Sequence, residues 1–212
     1  MLVNAQKREL QIKIVYYGPA LSGKTTNIEQ VFKSIPPDRR SDLTVMKTSG
    51  DRTLFFDYMQ VELGKVAGFT PRINLYTVPG QVMYAMTRKI VLRGADAVIF
   101  VADSSPFRIR ENLYSWRQLF QHLRELNVDL KSFPIVVQWN KRDLPNAAPI
   151  PLLEQVLEVR GRYPTFEAIA IRNIGVKETL QATLKLLFKK GARNERTPQS
   201  KPRPQPEPKP TS

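Results

Sequence analysis

A chain of 212 residues can bury one sizeable core and has no room for a second of comparable size, so one domain with a tail is expected, over 1–189 and 190–212. Thirty-three Lys and Arg against nineteen Asp and Glu give a formal charge of +14, which points to anionic partners. Having no cysteine, the chain has no disulfide, thiolate metal site or thiol chemistry, and suits a reducing compartment.

The first apolar run, Leu10, Ile12 and Ile14 to Tyr17, reads as a strand over 10–17. Gly18-Pro19-Ala20-Leu21-Ser22-Gly23-Lys24-Thr25 follows at once, a complete G-x-x-x-x-G-K-[ST] phosphate loop. A helix is predicted over 24–34, stopping before Pro36-Pro37. In that strand–loop–helix setting the backbone N–H groups from Ala20 to Thr26 point at α- and β-phosphates. Lys24 reaches the β/γ oxygens, and the Thr25 hydroxyl is placed to ligate Mg²⁺.

Asp38 to Thr53 is long for a connection, and such length goes with function or disorder. At its end Thr53 is a candidate Mg²⁺ ligand, and the Arg52 guanidinium is a candidate for the transferring phosphoryl group, a placement worth roughly 10³–10⁵ in rate. Strands over 54–62 and 70–78 are separated only by a short turn with Gly64 and Gly68, so they form a hairpin and make one edge of the sheet antiparallel. The second of them runs into Thr77-Val78-Pro79-Gly80-Gln81, where the Gly80 N–H can bond a γ-phosphate and Gln81 can orient the attacking water.

A helix over 84–92, a doubly buried strand over 96–102, a helix over 107–126 and a strand over 133–139 come next. Trp116, Leu119, Phe120 and Leu123 recur as a packing stripe, and His122 beside them lies far from every motif, so it is given no catalytic role. Asn140-Lys141-Arg142-Asp143 then forms an N-K-x-D element at a strand's carboxyl end, where open α/β sheets bind ligands. The Asp143 carboxylate can accept from the guanine N1–H and 2-amino group together, a donor pair that adenine lacks. Asn140 can donate to the purine and brace the phosphate loop, while the Lys141 stem covers the ring or ribose. A helix over 151–159, a strand over 165–170 and a helix over 176–189 complete the chain. The alternation predicts a three-layer α/β/α fold with a six-stranded, mostly parallel sheet.

From Lys189 onward the chain carries seven basic and two acidic side chains, a net +5, with six prolines and almost no apolar residue after Ala192. Such a segment is expected to be disordered; a solvated tail and one that touches anionic lipid or an acidic partner both remain open readings. No apolar stretch nears the roughly 20 residues that span a bilayer, and the amino terminus lacks a signal-peptide core, so a soluble, cytoplasmic protein is expected. Without Gly at position 2 or a C-terminal cysteine, neither N-myristoylation nor prenylation is expected.

With these motifs in this order, the chain resembles the Ras-like small GTPases over about residues 10–189, most closely the prokaryotic gliding-motility and cell-polarity branch typified by MglA. The similarity runs through Lys13 to Pro19, Leu21 to Asn27, Arg52 to Asp57, Leu75 to Gln81 and Asn140 to Pro145. The resemblance implies a Ras-like P-loop GTPase fold and a GTP/GDP switch that localises by nucleotide state, at a cell pole or the inner membrane surface. Arg52 is implied as an intrinsic arginine finger, Gln81 as the water-positioning residue and the Ala170 N–H as the purine O6 contact. Effectors of polarity or motility are implied, as is a roadblock-domain regulator of the MglB type that stimulates hydrolysis; no nucleic acid partner is expected. Thr77 stands where most Ras-like proteins carry an aspartate, which weakens hold on Mg²⁺, and Ala20 stands where this branch usually has glycine. Both suggest slow intrinsic hydrolysis. The rival readings are a nucleotide-binding scaffold that scarcely hydrolyses and, disfavoured by Asp143, a P-loop ATPase or small-molecule kinase.

Overall fold

A computed structural model describes residues 1–47, 55–65, 68–81 and 84–194. The described strands are β1 (Leu2–Asn4), β2 (Glu9–Tyr17), β3 (Thr44–Lys47), β4 (Phe55–Glu62), β5 (Thr70–Thr77), β6 (Ala97–Asp103), β7 (Ile135–Asn140) and β8 (Thr165–Glu167). The helices are α1 (Lys24–Ser34), α2 (Ala85–Leu92), α3 (Ile109–Glu125), α4 (Ile150–Leu157) and α5 (Val176–Asn194). The strand order is β3-β4-β5-β2-β6-β7-β8, with β1 paired to the start of β2. From β5 to β8 every neighbouring pair is parallel, whereas β3–β4, β4–β5 and β1–β2 are antiparallel.

The sheet is sandwiched because its central strands are apolar on both faces. Every residue of β6 and β7 is buried. Along β2 the period of two sends Val15 and Tyr17 to one face, with Phe100, Trp116, Leu119 and Leu157 from β6, α3 and α4. Ile12, Ile14 and Tyr16 go to the other, with Ile28 and Val31 of α1 and Val176 and Leu187 of α5. One polar network crosses that second face. Asn27 and Gln138 exchange amide hydrogen bonds at 2.8 and 2.9 Å, Asn27 also donates to the Gly23 carbonyl, and Gln138 donates to the Thr179 hydroxyl at 3.0 Å. It ties the end of the phosphate loop to α5.

All six expected strands are present, and two short ones join them. β1 is three exposed residues with no burial pattern to betray it; only its register, Leu2↔Gln11 to Asn4↔Glu9, makes it a strand. β3 lies inside the stretch read as one long connection and adds a further antiparallel strand to that edge, Thr44↔Tyr58 to Lys47↔Phe55. The last strand is shorter than its apolar run, because beyond Glu167 the chain turns into a 3₁₀ segment at Ala170–Arg172. Helix α5 runs to Asn194, five residues past the boundary expected at 189, and the remainder of the basic tail lies outside the described residues. None of the described helices is long and apolar enough to cross a membrane.

Candidate nucleotide-binding site

Parallel strands align their carboxyl ends, so the segments after β2, β5, β6 and β7 meet at one rim of the sheet. The phosphate loop leaves β2 at Gly18 and enters α1 through Gly23, whose φ of 99° favours glycine and whose missing Cβ makes room for the Asn140 side-chain amide. Helix α1 starts there without a capping side chain and without an acid in its first turn. Its free N–H groups and the positive end of its dipole are left to an anion. Ser22 is fully buried, and its hydroxyl has no hydrogen-bond partner among the described residues. Leu21, at φ 63°, turns outward and is 81% exposed.

Lys24 is 6% exposed, and its ammonium donates to the Pro19 carbonyl at 2.6 Å. Desolvation pulls its pKa down to about 7, Arg88 pushes the same way, and Asp57 partly offsets both. A buried lysine nitrogen whose hydrogen-bond partner is one neutral carbonyl, at a bare helix end, has the chemistry to receive phosphate.

Beside it, the Thr25 hydroxyl donates to Asp57 Oδ2 at 2.6 Å, and the Thr77 hydroxyl donates to the same oxygen at 2.9 Å while accepting the Asp57 N–H at 2.9 Å. Asp57 was given no role from sequence. Antiparallel pairing of Tyr58 with Tyr76 carries it opposite Thr77, so β4 supplies a carboxylate where β5 has a hydroxyl. The signal was there to read: Met59 and Val61, at the same phase of β4, are buried core residues, and an acid in that inward phase needs a reason. These oxygen donors have the chemistry a hard cation such as Mg²⁺ requires. Thr53 and Arg52 lie outside the described residues.

The Pro79-Gly80-Gln81 segment rests on the phosphate loop. A Cβ on Gly80 would collide with the Ala20 backbone, so glycine is required for this approach. Two arginines unmarked by the sequence patterns secure the contact. Arg88 of α2, buried among Thr87, Val91 and Leu92, donates to the Gln81 carbonyl at 2.5 Å and the Pro79 carbonyl at 3.3 Å, and to Gln118 of α3. Arg108 donates to the Ala20 carbonyl at 2.9 Å and pairs with Glu111 at 3.0 Å. The Gln81 side chain is exposed.

On the other flank a cavity of about 250 Å³ is lined by Gly23, Thr26, Asn140, Lys141, Asp143 and Ala170, among others. Asn140 is buried and spans the two loops, donating to the Ser22 carbonyl at 2.8 Å and accepting the Ala170 N–H at 2.9 Å. That N–H is thereby engaged, and Ile171, next in the same turn, also lines the cavity. Lys141, at φ 64°, pairs at 2.7 Å with Asp103, which is 2% exposed at the end of β6. Arg142 anchors the segment through Glu167 at 2.9 Å and the Ala148 carbonyl at 2.7 Å. Asp143 is exposed at the cavity mouth. His122 carries none of these contacts: it packs against Tyr17, the last residue of β2, with Nδ1 3.2 Å from the phenol oxygen, and burial, then Arg88, lowers its pKa.

No family model matches the chain. Among curated proteins it is 44% identical over 186 residues to the mutual gliding-motility protein MglA of Myxococcus xanthus (strain DK1622), covering 88% of this chain and 95% of that one. It is 26% identical over 180 residues to the Ras-related protein Rab-7a of Dictyostelium discoideum, covering 84% and 82% of the two chains. Similarity of that level, over nearly the whole length and on a fold with the phosphate loop and the N-K-x-D element at one rim, places the chain in the MglA family of Ras-like small GTPases.

Proposed function

We propose that the chain is a GTP/GDP switch acting in bacterial cell polarity or gliding motility, and that it hydrolyses GTP slowly until a roadblock-domain regulator of the MglB type remodels its switch segments. The observation that carries this reading is the buried Lys24 side chain, whose nitrogen donates to the Pro19 carbonyl at a helix N-terminus that has no capping side chain. The process is suggested by the gliding-motility protein to which the chain is similar.

In the loaded protein the N–H groups of residues 20–26 and Lys24 grip the phosphates. Thr25 and Thr53 would hold Mg²⁺ with Asp57 behind Thr25, and the ion would supply charge neutralisation to the phosphates. Asp143 takes the guanine N1–H and 2-amino group, the Lys141 stem covers the ring, and Asn140 keeps the base and phosphate loops in register. Ala170 serves purine O6 if it releases Asn140. Gln81 orients a water in line with the γ-phosphorus, and Arg52 stabilises the charge that develops as the bond to the β–γ bridging oxygen breaks. The Gly80 N–H meets the γ-phosphate in the GTP state, and its loss on hydrolysis releases the segment. Effectors read that segment; the basic tail provides any peripheral contact with an anionic membrane, at a pole or along the inner membrane of a cytoplasmic protein.

A second reading, a scaffold that holds nucleotide and scarcely hydrolyses it, is favoured by the close approach of Gly80 to the Ala20 backbone, where a Cβ on Gly80 would have no room. Chromatography of the nucleotide released on denaturation, followed by single-turnover GTP hydrolysis with and without a purified roadblock-domain regulator, separates the two. A switch releases guanine nucleotide and is accelerated by the regulator; Arg52→Ala and Gln81→Leu each lower the stimulated rate about 10²-fold or more. Absence of turnover in both conditions leaves the scaffold.

A further inference from the structure

Helix α3 has two working flanks. Glu111, Ser115 and Gln118 face the phosphate loop and Arg88, at the site already described. The other flank carries Arg110, Leu113, Arg117, Phe120 and Arg124, spaced alternately three and four residues apart, so that guanidinium and apolar side chains alternate along one stripe. Arg110, Arg117 and Arg124 are exposed. Among the described residues none of these three pairs with a carboxylate, whereas Arg72, Arg108 and Arg142 all do. Successive members of the trio stand seven residues apart, about 10.5 Å along the axis.

The stripe borders a groove of about 340 Å³ between α3 and the segment that follows α4. Its floor is aromatic. Trp116 meets Phe120 edge-on at 4.8 Å and Tyr163 at 5.4 Å between ring centroids, with Leu113 and Val156 alongside. Arg117, Arg124 and Arg162 rim it, and the single carboxylate among its lining residues, Glu158, is already matched by Arg162 at 3.6 Å. An apolar floor under a one-signed rim calls for an occupant that is acidic at its edges and apolar between them. The chain's own tail is a poor occupant, with seven basic residues against two acidic, and a second copy would bring the same cations. A flat bilayer meets the rim arginines but not the recessed rings.

We infer that this groove docks an amphipathic helix of a partner protein, with carboxylates at every seventh position facing Arg110, Arg117 and Arg124, and apolar side chains between them over Leu113 and Phe120. This is helix-in-groove recognition in which the charge repeat sets register. It lies apart from the Gly80–Gln81 segment, so docking does not require the GTP state.

The test uses the full chain loaded with GDP and a fluorescein-labelled, 21-residue model helix with glutamate at every seventh position and leucine on the same stripe. Fluorescence anisotropy is expected to show saturable binding, weakened by salt, and reduced about tenfold or more in Arg117→Glu/Arg124→Glu protein whose GDP affinity is unchanged. A matching peptide with lysine for glutamate is expected to fail on the native chain and to bind the doubly reversed variant. Arg110→Glu/Arg117→Glu repeats the test should the first variant fold poorly. Equal binding of both peptides to the native chain, indifference to the reversals, or no binding overturns the proposal. So does tighter binding to phosphatidylglycerol vesicles that the same reversals abolish, which would reassign the stripe to membrane.

Discussion

Nucleotide binding at pH 8 is expected to draw nearly one proton from solution, because Lys24 is mostly neutral before phosphate arrives. Its pKa of about 7 means that roughly one-tenth of the empty protein carries the ammonium at pH 8. Phosphate oxygens replacing the Pro19 carbonyl restore the charged form and return the pKa toward the ordinary lysine range, so binding takes up about 0.9 proton. The terminal phosphate, with a pKa near 6, is already ionised at that pH and contributes little. The sign for stability follows from the same shift. Between pH 7 and 10.5 the unfolded chain holds the lysine proton and the empty folded protein does not, so the empty protein gains stability as pH rises through that window. Nucleotide affinity moves the other way, falling about fivefold from pH 7 to pH 8, and rising by about twofold at most below pH 7 before it levels off. Isothermal titration of GDP into nucleotide-stripped protein, in buffers of widely different ionisation enthalpy, reads the proton number directly. A slope of zero, proton release, or an affinity constant between pH 7 and 8 refutes the argument that burial holds this lysine neutral.

Asp57→Asn keeps an acceptor for Thr25 and Thr77 but removes the charge. Release of a fluorescent GDP analogue in Mg²⁺ is expected to speed up 10- to 100-fold, toward the rate in chelator, with little change in Tm. Gln138→Leu strips Asn27 of its amide partner inside the α1–α5 face and is expected to cost about 1–3 kcal/mol, read as a lower urea midpoint at unchanged m-value.

The parts of the site that the chain declares openly are those built from neighbouring residues. The loop from Gly18 to Thr25 and the run from Asn140 to Asp143 are contiguous, because backbone amides crowded on one small anion, or side chains clustered on one base, must come from a short length of chain. The hairpin at 62–70 and the doubly buried strands were legible for the same reason, since local apolar runs between turn residues suffice. The second rank of the site is not local. Asp57 reaches Thr25 across 32 positions, Arg108 reaches Ala20 across 88, and Arg88 reaches Gln118 across 30. Each is fixed by strand register or by helix packing, which no short motif encodes. Strand β3 was invisible for another reason: it lies in a polar, charged stretch with no apolar run of its own, and only its ladder with β4 defines it.

Thr77 shows what this costs in a functional argument. Judged by position alone, a hydroxyl in place of an acid predicts a loosely held metal, and with it slow chemistry. The register of β4 against β5 brings the missing charge back from the adjoining strand, 2.9 Å from that hydroxyl. If intrinsic hydrolysis is slow, the other candidate cause is the Ala20 methyl group, carried on the stretch of loop backbone that Gly80 approaches. The two causes part cleanly in single-turnover assays. Under the metal explanation, saturating Mg²⁺ rescues the native rate and Ala20→Gly changes little. Under the steric explanation, which the geometry favours, the native rate is already insensitive to Mg²⁺ above saturation, and Ala20→Gly raises it severalfold with the same Mg²⁺ dependence. A rate in Ala20→Gly that is unchanged or lower removes the methyl group from the account.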